Sequence, residues 1–140
     1  MTRFGPAPPD RRNLLRSFLD GGSFLITGPP VWNTLGLGSS QMFAHPLVYN
    51  RKRSGVFNLG GRTFDLRRVR FPDHPTLEWF VVDLLENLAL VCLDRDETAA
   101  ILASRIAEGA FDLETLAAMA AEYGSRATQA LVRHAVGASR

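Results

Sequence analysis

The chain has 140 residues, 46% of them hydrophobic, a single cysteine and a formal net charge of +2. That size suits one compact domain with a real core. No apolar run reaches the roughly 18 residues needed to span a bilayer, and the opening "MTRFGPAPPDRRN" has no secretory pattern. One cysteine excludes an internal disulfide and a thiolate zinc site, so a soluble cytoplasmic protein is expected.

In chain order, the first ten residues read as an extended arm, with prolines at 6, 8 and 9. "RRNLLRSFLD" spaces Leu14, Leu15, Phe18 and Leu19 as on one helix face, with Gly21 and Gly22 as the stop. "SFLITG" is a short strand candidate. Pro29 and Pro30 then suit the start of a short helix through Trp32 and Leu35, closed by Gly36.

"HPLVYN", "GVFNLG" and "RTFDLRRVRF" read as strands, with "RKRSG" and "GG" as hairpin turns between them. The third is expected to end at Leu66 or to bulge at Arg67 and Arg68, the bulge returning Val69 and Phe71 to one face. From Thr76 the period becomes helical, through Leu77, Phe80, Val81, Leu84, Leu85 and Leu88. Asp94, Asp112 and Ser125 are the expected caps of three further helices; the last two end at Gly124 and Gly137.

The predicted class is therefore α+β: a small antiparallel sheet flanked by helices, with a C-terminal helical half. It is read as a single domain over 1–140, made of the arm 1–10, a helix plus basic sheet region 11–72 and an acidic helical region 73–140. The charge supports that division. Residues 1–72 carry 11 Lys/Arg against 3 Asp/Glu, and residues 73–140 carry 5 against 11. A basic surface able to meet an anion or nucleic acid is one reading; two regions solvating themselves is the other.

Most site chemistry fails on residue type. "TGPPVWNTLGLGSSQ" looks like a phosphate loop, yet it lacks the lysine, and its two prolines remove backbone N–H donors. His45, His74 and His134 have no partner at metal-ligand spacing, so no metal or other cofactor is expected. Ser39, Ser40 and Cys92 lack an adjacent base, and Cys92 reads as a buried, inert thiol. Asp83 and Asn87, one turn apart, form a polar pair better suited to a structural hydrogen bond than to catalysis. What remains is the basic set Arg51, Lys52, Arg53, Arg62, Arg67, Arg68 and Arg70, interleaved with Tyr49, Phe57, Phe64 and Phe71. Clustered arginines of this kind hold phosphate oxygens without reading sequence.

Four stretches, "TGPPVWNTLGLGSSQ", "LVYN" before a basic turn, "LGGRTFDLRRV" and "FVVDLLENL", carry a family likeness. The chain resembles the effector domain of AbiEi-type antitoxins, from type IV toxin–antitoxin (abortive infection) systems, in a branch of predicted transcriptional regulators. The likeness covers residues 3–90 and the tail "FDLETLAAMAAEYGSRATQALV". It implies a non-enzymatic antitoxin that represses its own operon and counters a nucleotidyltransferase-like toxin without needing to bind it. In that family DNA is read mainly by an N-terminal winged helix, for which the ten residues ahead of the first helix leave no room. Only the seven basic residues carry over, as phosphate contacts with operator DNA. The last two helices also suggest a helix-turn-helix, but Arg126, Gln129 and Arg133 are thin base-reading chemistry, and a packed helix pair fits better. A protein-interaction domain with no nucleic-acid role is the alternative.

Overall fold

A computed structural model describes residues 11–37 and 45–138. The expected arm, Ser39 and Ser40 lie outside the described residues. The fold is α+β as expected, with the elements α1 (Arg11–Phe18), β1 (Phe24–Thr27), α2 (Pro29–Trp32), β2 (Leu47–Asn50), β3 (Gly55–Leu59), β4 (Arg62–Arg68), α3 (Leu77–Glu86), α4 (Arg95–Ala107), α5 (Leu113–Tyr123) and α6 (Arg126–Ala138). Two compact units divide it. One takes 11–26 and 45–73 of the described residues; the other takes 27–37 and 74–138.

The first unit holds the sheet except Thr27, the last residue of β1, with the strands in the order β1-β2-β4-β3. It is mixed, where a wholly antiparallel one was expected. β3 and β4 form the antiparallel hairpin, pairing Leu59 with Arg62 across Gly60 and Gly61, whose φ angles of 58° and 82° need glycine. β2 instead runs parallel to β4, with Val48 opposite Leu66 and Asn50 opposite Arg68. "RKRSG" is therefore no hairpin turn: it carries the chain past β4 to the sheet's edge. Phe64 and Leu66 of β4, with Val48 and Ile26, pack with Leu15 and Leu19 in one buried cluster. β4 ends at Arg68, two residues beyond the alternative end at Leu66, and the bulge return is not seen either, since Phe71 is buried and Val69 exposed.

The second unit is organised by α3, most of which is buried, the carboxylates of Glu78 and Asp83 included, while Glu86 at its end is exposed. Its Thr76 cap accepts from the Trp79 N–H at 3.1 Å. Three acidic side chains then reach three other segments. Glu78 Oε2 accepts the backbone N–H of Asp112, at the start of α5 (2.9 Å). Asp83 Oδ2 accepts from Thr27 Oγ1 (2.7 Å) and from Trp32 Nε1 (3.0 Å). Glu86 Oε2 accepts from the Ser125 N–H and hydroxyl, and from the Thr128 hydroxyl, at the start of α6. Helix N-termini expose unpaired N–H groups and a positive dipole end, so a carboxylate there satisfies both.

The same logic explains "TGPPVW". Gly28 sits at φ 113° and ψ −172°, a conformation that only glycine adopts without strain. Its carbonyl accepts the N–H groups of Val31 and Trp32, both at 2.9 Å. The prolines occupy the first two helical positions, where a missing N–H costs nothing. A 3-10 turn, Asn33–Leu35, continues α2, and left-handed Gly36 ends it. Two sequence expectations change here. Cys92 is exposed and left-handed (φ 55°), because α3 stops at Glu86 and a run of turns follows. Gly137 lies inside α6 rather than ending it.

Removing the Asp83 carboxylate leaves two buried donors unpaired. Asp83→Ala is expected to lose about 2–4 kcal/mol in urea unfolding followed by tryptophan fluorescence, and Thr27→Val, which removes one donor, about 1–2 kcal/mol. A second check uses Asp112, whose carboxyl is held below its ordinary pKa by the Thr115 hydroxyl first and the Thr115 N–H second. A depressed carboxyl pKa means that the cap is intact above the ordinary carboxylate range and is lost as pH falls through the lowered value. The Thr115 amide resonance is therefore expected to titrate below the usual aspartate midpoint, and not at all in Asp112→Asn.

Candidate nucleic-acid interface

The register of the parallel pair decides where the basic residues go. Asn50 ends β2 opposite Arg68 near the end of β4, so both strands deliver their carboxyl ends to one side of the unit. Arg51, Lys52 and Arg53 follow β2 there; Arg67 and Arg68 end β4 there, and Arg70 comes two residues later. Arg62 begins β4, so it stands at the opposite end of the sheet, beside the hairpin turn. Six of the seven predicted residues thus share an end, and the seventh does not.

They do not share a face. Side chains alternate along a strand, so Arg68 follows the parity of buried Phe64 and Leu66, while Arg67 lies with Thr63 and Asp65 on the reverse. Arg67 Nη2 stands 3.7 Å from Asp65 Oδ2, an ion pair that is about one third exposed. The cluster is a rim around the strand ends, and a flat basic face is not what the alternation allows.

Asn50 positions this rim. It is fully buried, and every hydrogen-bonding group of its amide is used. Its Oδ1 accepts the backbone N–H groups of Lys52 (2.8 Å) and Arg53 (2.7 Å), an Asx-type turn. Its Nδ2 donates to the carbonyls of Arg53 (3.0 Å), Val48 (3.3 Å) and, across to β4, Arg67 (3.4 Å). Ser54 completes the tie, its hydroxyl accepting the Arg68 N–H at 2.9 Å. No spacing rule flags this asparagine; only its place between a strand and a basic turn hints at it.

The side chains are held as well. The Arg51 guanidinium lies over the Phe71 ring at 4.5 Å, and that of Arg53 over Phe18 at 4.6 Å. Phe18 is itself packed against Phe57, with ring centroids 5.0 Å apart. Lys52 remains exposed but is tied back, its Nζ donating to the Leu19 carbonyl (2.7 Å) just past α1. Arg51 also lies 3.8 Å from Asp73, both well exposed, a pairing that salt screens. A guanidinium drawn over a ring face by cation–π attraction loses freedom and still carries N–H groups able to donate to oxygen acceptors.

Asn50→Ala removes both halves of the amide and is expected to lower stability by about 2–3 kcal/mol, measured by circular dichroism in urea. Asn50→Asp keeps the acceptor for Lys52 and Arg53 but turns a second oxygen toward three carbonyls. It is expected to loosen the turn, seen as faster amide exchange at Lys52 and Arg53 than in the native chain. Among the described residues no helix is long and apolar enough to cross a membrane. Compared with protein-family profiles, curated proteins and solved structures, the chain matches none.

Proposed function

We propose that this chain is a non-enzymatic, antitoxin-like effector domain that works in the cytoplasm and grips nucleic acid by its phosphate backbone at the carboxyl end of β2 and β4. One observation carries the reading: the guanidinium carbons of Arg51 and Arg53 lie 4.5 and 4.6 Å from the ring centroids of Phe71 and Phe18, on a turn that Asn50 pins. A guanidinium oriented before binding loses less side-chain entropy when it meets a phosphate. The described part of this unit carries ten Lys/Arg against three Asp/Glu, which favours a polyanion at long range. The contacts available are to backbone oxygens, so affinity without sequence reading is the expected mode. The resemblance to AbiEi-type antitoxins supplies the setting: repression of its own operon, and a nucleotidyltransferase-like toxin countered without direct binding.

The test is the salt dependence of duplex DNA binding. Each phosphate neutralised contributes a slope of about −0.9 in log affinity against log salt. Arg51→Gln, Arg53→Gln and Arg68→Gln are each expected to reduce that slope by about one unit, whereas Arg62→Gln, at the far end of the sheet, leaves it unchanged. Retention that is absent, indifferent to salt or equally sensitive to Arg62 removes the reading.

A further inference from the structure

β3 lies at the edge of the sheet, pairing with β4 on one side only among the described residues. Natural edges are usually protected by charges, proline or a bulge against unwanted strand pairing. "GVFNL" carries no charge and no proline, and Val56 is 63% exposed. The two-residue Gly60-Gly61 turn makes Leu59 and Arg62 a hydrogen-bonded pair, and the antiparallel alternation extends this to Phe57 with Phe64. The N–H and C=O groups of Val56 and Asn58 therefore point away from β4, along the outer edge.

A groove of about 390 Å³ lies beside this strand, between α1 and the hairpin. Its apolar lining is Leu14, Phe18 and Leu59, and its polar rim is Asn13, Ser17 and Asn58. Phe57 and Leu59 face the α1 side of the sheet, where they pack against the buried cluster. A strand added along β3 would alternate its side chains in the same way, sending every second one toward the groove.

The surroundings determine the sign of the occupant. Arg53 stands over Phe18 at one side of the groove, exposed Arg16 donates to Asn13 of its rim, and Arg62 follows the hairpin turn. A second copy pairing β3 with β3 antiparallel would place each "RKRS" turn beside the other's Arg62, an unfavourable match. The geometry points to an extended acidic peptide from another protein, added as a fifth strand along β3 with alternate apolar side chains in the α1–β3 groove. This site does not depend on the nucleic-acid reading, because its contacts are the backbone of β3 and the groove itself.

The probe is a blocked hexapeptide alternating Glu and Val, titrated into the full chain without nucleic acid and followed by amide NMR. The expected result is saturable shifts centred on Val56 and Asn58, with slowed exchange of those two amides. Ser17→Trp, an exposed position that fills the groove, is expected to weaken binding about tenfold or more. A Lys/Val peptide and a backbone N-methylated Glu/Val peptide are expected not to bind. Any of four findings overturns the proposal: no shifts at Val56 and Asn58, equal binding by the Lys/Val or N-methylated peptide, β3 amides already protected in the free chain, or a dimer through β3 in sedimentation. Because the amide readout uses the native chain, the outcome stands even if Ser17→Trp fails to fold.

Discussion

The second unit depends on a buried carboxylate. Asp83 is placed on a mostly buried helix, where an unpaired charge would be intolerable. The fold resolves this by bringing a hydroxyl and an indole N–H to one oxygen, from a segment more than fifty residues earlier. Glu78 and Glu86 repeat the device at the two ends of α3, each accepting from the N-terminal region of another helix. The acidity of this half of the chain thus has a partly internal purpose: three of its carboxylates act as acceptors for neighbouring segments.

In the first unit an uncharged side chain does the comparable work. Asn50 supplies acceptors and donors in equal measure, and so holds a turn that three consecutive cations would otherwise push open. Like charges crowded on a turn repel, and the structure answers by sending them three ways: Arg51 to Phe71, Lys52 to the end of α1, Arg53 to Phe18. The basic rim is therefore an ordered set of groups with different tasks, each of the three turn cations having its own partner within the unit.

Much of the fold was legible where the signal is local. Asp94 and Asp112 cap the helices they precede, the paired glycines turn the hairpin, and the paired prolines start α2. What was not legible is pairing at a distance. Alternation identifies a strand and its two faces, yet it carries no information on which strand lies beside it. Chain order suggests β2 with β3; the parallel pairing of β2 with β4 reverses this and brings Arg68 to the end of β2. The same limit hid the roles of Asn50 and Asp83. Cys92 was misread for a different reason: the apolar period continues through Leu88, but the helix ends two residues earlier.

The link from Asp83 to Thr27 has an entropic side. It closes a loop whose interior contains β2, β3, β4 and the turn that Asn50 holds. Closing a loop that long is entropically unfavourable, and compacting its interior first lessens that cost. By that argument, a chain whose intervening segment has already compacted brings Thr27 and Trp32 to Asp83 at a lower entropic cost. A fragment starting after the sheet would retain every helix from α3 onward and still hold a buried carboxylate deprived of its donors.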